Sequence, residues 1–111
     1  MVLGTDQKFV VVLTTLPAEN DAEQFASRLV EEKIAGCVNI LPAMRSVYRW
    51  KGTVEHADER QLVIKTTVQQ VTALEALIRK IHPYDVPEFV VLPIDSGGAD
   101  YLSWLCESTK P

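Results

Sequence analysis

Apolar positions in the first third of the chain change from a strand pattern to a helix pattern. The segment 8–16, KFVVVLTTL, is rich in β-branched residues and apolar on both parities, which predicts a strand. Asn20 or Asp21 can then cap a helix that runs to about Ala35, because apolar residues recur there at helical spacing. Gly36 follows where the end of a helix favours a left-handed residue.

The middle of the chain predicts a long β-hairpin. The segments 37–41 and 46–50 form one long strand with an irregularity at Pro42, because proline cannot donate a hydrogen bond to the ladder. A tight turn is predicted at 51–52, where a glycine can adopt a positive φ. The strand at about 53–68 then returns antiparallel to the first.

The last third predicts a helix at about 70–82, a strand at 88–94 and a short helix at 100–108, with Asp100 as a possible cap. The order is therefore β-α-β-β-α-β plus a short C-terminal helix. That order is typical of an α+β fold of the ferredoxin-like, split βαβ type, with an antiparallel sheet and both helices on one face. We expect residues 1–111 to form a single domain.

Two strands of this sheet carry more apolar residues than two helices can cover. FVVVL and FVVL are apolar on both parities, the pattern expected when both faces of a sheet are buried. The helices cover only one face, and the chain has no further element for the other. Other copies of the chain are the expected cover, so the sequence predicts self-association.

Composition and charge exclude several classes of function. The 111 residues include 11 basic and 15 acidic ones, a net charge of −4, which disfavours nucleic-acid binding. No apolar stretch approaches the roughly 20 residues of a membrane span. Cys37 and Cys106 lie far apart with no export signal, so we expect reduced thiols and a cytoplasmic protein. No phosphate-binding loop or GxSxG motif is present, so we expect no enzymatic activity.

The segment KIHPYDVPEFVVLP at 80–93 concentrates the candidate chemistry. His82 is a possible ligand for a borderline divalent ion, but the chain's two histidines and two cysteines lack the close spacing of a metal motif. A site within one chain is therefore not expected, although a neighbouring chain's carboxylates can complete one. The alternative is structural, because an imidazole in the last helical turn can cap a carbonyl.

Lys65 lies in an apolar run and should be exposed, or paired with an acid such as Glu88 or a neighbour's Glu59. An anion or ligand contact is the alternative for this lysine. The remaining aromatic residues are expected to be packing or interface anchors rather than a stacking platform. They are Tyr48, Trp50, Tyr101 and Trp104.

Five sequence segments match a known family in their order and spacing. They are GCVNI, SVYRWKG, LVIKT, HPYDVPEFVVLPI and YLSWL, and the match runs from about Lys8 to Leu105. The chain resembles the CutA divalent-cation tolerance proteins. The resemblance implies a ferredoxin-like subunit, a tight homotrimer similar to the PII signalling proteins and a cytoplasmic setting. It also implies binding of Cu²⁺ or another divalent cation, with no organic cofactor.

For the metal, we expect His82 as the principal ligand, with Glu59 and Glu88 as weaker carboxylate candidates. The chain departs from some bacterial relatives, because Thr14 and Ile81 stand where those proteins carry a cysteine and a second histidine. Copper is therefore expected to be held weakly here.

The resemblance also places polar and aromatic residues in a cleft between subunits. The resemblance places Tyr84 and Glu88 there, and we expect Lys65, Trp50 and Tyr48 to line the same cleft. The alternative function is accordingly a PII-like signalling or scaffold trimer that binds a small ligand or a protein in those clefts.

Overall fold

The computed structural model describes residues 2–4 and 8–111, which form seven strands and three helices. The strands are β1 (Val2–Gly4), β2 (Phe9–Pro17), β3 (Cys37–Ile40), β4 (Met44–Trp50), β5 (Thr53–Thr67), β6 (Val90–Pro93) and β7 (Ser96–Gly98). The helices are α1 (Ala22–Glu31), α2 (Val71–Ile81) and α3 (Ala99–Ser108), and a single 3-10 turn at Val68–Gln70 leads into α2. None of the helices among the described residues is long and apolar enough to cross a membrane.

The main sheet is antiparallel with the order β3-β5-β2-β6, and β4 extends the pairing with β5 beyond β3. The strands β2, β3, β5 and β6 and the helices α1 and α2 therefore follow the predicted ferredoxin-like order, which is confirmed. β1 and β7 pair with each other in a small separate ladder that the sequence pattern did not predict.

The predicted irregularity at Pro42 divides the long strand into β3 and β4, which pair with consecutive stretches of β5. At the far end, Lys51 and Gly52 have φ values of 50° and 81°. Two positive φ values in a two-residue loop are typical of a type I′ hairpin turn, so the predicted turn is confirmed. The hairpin continues past the end of β2, which pairs with β5 only as far as Glu59. The molecule is correspondingly elongated, with extents of 47 × 25 × 24 Å.

The core lies between one face of the sheet and the helices α1 and α2. Val12, Leu62 and Ile64 from the sheet are fully buried against Leu29 of α1 and Leu74 of α2. Neither helix covers the opposite face. The bare face of the sheet, as we call it, consists of the half-buried Val11, Leu13 and Val63 together with Val90 and Leu92. Val90 is 42% exposed and Leu92 is 44% exposed.

Two predicted helix ends are corrected. α1 ends at Glu31 rather than near Ala35, and Lys33 instead of Gly36 takes the left-handed conformation, with φ 61°. Gly36 leaves space for α3, because a Cβ there would lie 2.5 Å from Leu105 Cδ1 and that side chain would have to shift. Asp100 is not the cap of α3, because the helix begins at Ala99 and Asp100 lies in its first turn.

The start of α1 and the end of α2 agree with the sequence prediction. Asp21 is the residue that caps α1, since its Oδ1 accepts a hydrogen bond of 2.9 Å from the backbone N–H of Gln24. α2 ends at Ile81, and His82 is already extended, with φ −72° and ψ 137°. A residue that precedes a proline disfavours the helical region, which explains why α2 stops before Pro83.

Candidate functional site

A cleft of about 530 Å³ lies where the β4–β5 hairpin meets the loop between α2 and β6. The cleft brings together residues from β2, from both hairpin strands and from the loop. Its lining consists of Thr15, Ser46, Val47, Tyr48, Trp50, Glu59, Tyr84, Asp85, Val86 and Glu88. Five of the predicted site residues, Tyr48, Trp50, Glu59, Tyr84 and Glu88, therefore lie on one surface.

Glu59 is the most buried charged residue of the cleft, with only 6% of its surface exposed. The register of β2 and β5 places it opposite Pro17, next to Thr15, whose Oγ1 donates a hydrogen bond of 3.2 Å to Glu59 Oε2. The Tyr84 hydroxyl donates a second hydrogen bond to the same carboxylate. Within the described residues, none of the ion pairs includes Glu59.

The same contacts change the acidity of Tyr84. Burial of the phenol raises its pKa to about 12, and the hydrogen bond to Glu59 and the negative charge of Glu59 act in the same direction. Ionised Tyr84 would put a second negative charge beside the Glu59 carboxylate, in partly desolvated surroundings. The phenol therefore stays protonated at neutral pH and acts as a donor to Glu59.

His82 anchors the loop to the sheet through both ring nitrogens. Nδ1 accepts a hydrogen bond of 3.1 Å from the backbone N–H of Tyr84, and Nε2 lies 2.6 Å from the carbonyl oxygen of Thr15. Because Nδ1 is an acceptor, the proton of the neutral ring is on Nε2, which donates to that carbonyl. The ring also contacts Tyr84, with 4.9 Å between the ring centroids. A metal would have to displace one of these bonds in order to bind His82.

Glu88 sits at the open side of the cleft and has the more accessible carboxylate. Its Oε2 accepts a hydrogen bond of 2.8 Å from Gln61 Nε2, and its backbone carbonyl accepts one of 2.7 Å from Thr14 Oγ1. Thr14 is buried, so this bond attaches the loop before β6 to the core side of β2. Thr14 thus has a structural role.

Lys65 does not lie in the cleft. Its Nζ hydrogen-bonds to the side-chain oxygen of Asn39 on the neighbouring β3. Among the described residues, none of the ion pairs includes Lys65, and Cys37 on β3 lies directly opposite it. Pairing with an acid of a neighbouring chain, such as Glu59, stays a prediction. Tyr101 and Trp104 are exposed on α3, with their ring centroids 5.5 Å apart, and neither lines the cleft.

The described part of the chain contains no group of three or more histidine, cysteine, aspartate or glutamate side chains that could together hold a metal ion. His82, Glu59 and Glu88 are close in the fold, but their polar atoms are engaged with separate partners. Thr15 is a cleft residue that the sequence did not reveal. No signal marks it, since its role arises from the register between β2 and β5.

Comparisons with known proteins agree with this architecture. Residues 10–108 match the family described as CutA1 divalent ion tolerance protein. A relative from Thermus thermophilus, named divalent-cation tolerance protein CutA, is 48% identical over 99 residues, which is 89% of this chain and 96% of that protein.

Solved structures are also similar. That of CutA from Synechococcus elongatus superimposes with a TM-score of 0.90 at 35% identity, covering 99% of this chain and 96% of that one. That of the periplasmic divalent cation tolerance protein CutA from Archaeoglobus fulgidus superimposes with a TM-score of 0.87 at 30% identity, covering 92% and 99%.

Proposed function

Because the chain belongs to the CutA1 family of divalent ion tolerance proteins, we propose that it is a non-enzymatic homotrimer that binds a divalent cation, copper in particular, between its subunits. The observation that carries this proposal is the bare face of the sheet. In a single chain, the apolar side chains of Val90 and Leu92 are exposed to water. Both residues belong to β6, which is an edge strand of the main sheet. Contiguous apolar surface at a sheet edge favours association with further copies.

The assembly is tested by sedimentation of dilute protein. We expect one species of three times the 12.4 kDa chain mass across a wide concentration range. A homogeneous species of 12.4 kDa would contradict the proposal.

The metal proposal requires ligands from more than one chain, because the described residues of one chain do not form a cluster of ligands. His82 is the imidazole candidate, through Nε2 once its bond to Thr15 is given up, and Glu88 is the accessible carboxylate. Glu59 is a weaker candidate because it is buried. The bonds already made by His82, and the threonine at position 14, support weak copper binding.

Calorimetric titration with Cu²⁺ and Zn²⁺ tests the ligands. We expect affinity to fall sharply in His82→Ala and less in Glu88→Gln, and to weaken at acid pH because a ligating imidazole must be neutral. The matched control is His56→Ala, which removes the other histidine, exposed on the hairpin. Equal affinity in the wild type and in His82→Ala would show that His82 is not a ligand.

A second candidate function is a PII-like signalling or scaffold trimer that binds a small ligand in the cleft. The size of the cleft supports it, since about 530 Å³ lies within the usual range for small-molecule sites. The test is native mass spectrometry for a co-purified molecule. We expect Tyr84→Phe to reduce its occupancy and Lys65→Ala, which lies outside the cleft lining, to leave it unchanged. Intact trimers with no bound molecule would contradict this function.

We also place the protein in the cytoplasm, where Cys37 and Cys106 would remain reduced; both are free thiols in the fold. The relative from Archaeoglobus fulgidus is named as periplasmic, so the two compartments must be distinguished. Fractionation of cells that express the full chain tests this, and recovery with the periplasmic fraction would contradict it.

A further inference from the structure

The cleft is acidic as well as aromatic. Glu59, Asp85 and Glu88 contribute three carboxylates to it, and none of the described residues that line it is a lysine, arginine or histidine. A cleft with this charge repels anions and attracts cations. The carboxylates sit at different depths, since Glu59 is buried whereas Asp85 and Glu88 are exposed.

Glu59 is held by neutral groups only. Its two hydrogen-bond donors, the hydroxyls of Thr15 and Tyr84, satisfy part of the carboxylate but bring no positive charge. A carboxylate has about four acceptor positions, so acceptor capacity remains. Buried charges are ordinarily paired with an opposite charge, because desolvation of a lone charge is costly. A cation with N–H donors would supply both the opposite charge and further hydrogen bonds.

The walls beside Glu59 suit an organic cation better than a hydrated metal ion. Tyr48 and Trp50 are 42% and 41% exposed, so their rings are available to a ligand, and Tyr84 completes the aromatic lining. The Trp50 ring already attracts an ammonium group, because Lys51 Nζ lies 5.8 Å from its centroid. Aromatic rings also pack against a carbon chain, which a metal ion lacks.

We propose that the cleft binds a small organic cation that carries N–H donors, an alkylamine or an alkylguanidine. The charged head donates to Glu59, and the carbon chain lies against Tyr48 and Trp50. The proposal rests on the second candidate function, ligand binding in the cleft, and names the class of ligand. It shares Glu59 with the metal proposal but does not require a bound metal.

The test uses the assembled protein with a chelator present and butylguanidine or butylamine as the probe. Trp104→Phe leaves Trp50 as the single tryptophan, so its fluorescence reports on the cleft. We expect both probes to change this fluorescence saturably, butyltrimethylammonium to bind more weakly because it has no N–H, and butanol to have no effect.

The decisive variant is Glu59→Gln, which keeps the size of the side chain and removes its charge. Loss of a charge-assisted hydrogen bond predicts an affinity for butylguanidine about ten- to a hundredfold lower. The matched control is Glu23→Gln, which removes an exposed carboxylate on α1 and should leave affinity unchanged. If Glu59→Gln alters the sedimenting species, Trp50→Leu is used instead. We expect Trp50→Leu also to lower the affinity for butylguanidine, which is then measured by calorimetry.

Three results would overturn the inference. They are no binding of either amine at millimolar concentration, equal binding of butanol, and equal affinity in the wild type and in the cleft variant. Sedimentation and Cu²⁺ titration of the same samples separate the two proposals. If metal binds and the amines do not, the metal proposal is kept and the organic-cation proposal is rejected. If the amines bind and metal does not, the organic-cation proposal is kept and the metal proposal is rejected.

Discussion

The two faces of the sheet contain similar residues in different surroundings. On the helix-covered face, Val12, Leu62 and Ile64 are fully buried. On the bare face, Val90 and Leu92 stay more than two-fifths exposed although they belong to the same sheet. Both faces are exposed at the edge strand, where Val91 of the helix-covered face is 38% exposed. The faces differ at the centre of the sheet, where Val12 is fully buried and its neighbours Val11 and Leu13 are only half-buried.

This difference separates what stabilises a subunit from what assembles subunits. Burying an aliphatic side chain contributes about 1.5–3 kcal/mol, so the helix-covered face accounts for much of the stability of the single chain. On the bare face, the same kind of contribution would be gained if copies associate there, as proposed. The cleft lies beside this boundary, because Glu88 is two residues before Val90, the first residue of β6.

The largest effect is expected from a charge on the bare face. In the proposed trimer, Val90→Asp would bury a carboxylate at each of three equivalent interfaces, which costs several kcal/mol per ion, so that assembly should dissociate. Sedimentation should then show the 12.4 kDa chain. The matched control is Val30→Asp on α1, since Val30 is equally exposed at 44%. Dissociation by both variants, or by neither, would remove the distinction between the surfaces.

Truncation on the helix-covered face should have the next largest effect, of a different kind. Leu62→Ala leaves a cavity against the helices and should lower the free energy of unfolding by about 2–5 kcal/mol without changing the sedimenting species. Leu41→Ala, at an exposed leucine beside the same sheet, is the control and should cost less than about 1 kcal/mol. Denaturant titration measures both. A change in assembly size in Leu62→Ala would contradict the separation of roles.

A smaller effect is expected at the buried polar residue that attaches the loop. Thr14→Val keeps the shape of the side chain but leaves the Glu88 carbonyl without its donor, so stability should fall by about 1–2 kcal/mol. Thr72→Val, at an exposed threonine on α2, should change stability by less than about 0.5 kcal/mol. Equal stability in the two variants would show that the Thr14 hydrogen bond contributes nothing net.

The sequence predicted the fold because local signals agreed with the tertiary structure. Prolines, the Lys51–Gly52 turn and the Asp21 cap each mark an element boundary that the structure confirms. The end of α1 was misplaced because Ile34 and Ala35 remain buried after the helix has stopped, so apolar spacing continued beyond the helical hydrogen bonds.

The candidate site was predicted only in part. Glu59, Tyr84 and Thr15 come from three distant segments, and only the pairing register of β2 with β5 brings two of them together. The register also decided the partner of Lys65, which points to Asn39 on β3. A one-residue change of register moves every side chain to the other face, so such contacts require the assembled sheet.

The smallest effect concerns the acidity of Tyr84 at the edge of the bare face. Its pKa of about 12 favours the neutral phenol in the folded state, so the associated stability is complete below the ordinary value of 10.0 and is lost as pH rises toward about 12. Glu59→Gln should move the pKa toward 10.0 without reaching it, because burial is the largest cause of the shift and remains. Alkaline titration of tyrosinate absorbance, with Tyr84→Phe subtracted, measures the change. An unchanged pKa of Tyr84 in Glu59→Gln would mean that Glu59 does not act on the phenol and that the contact between these two cleft residues is not formed.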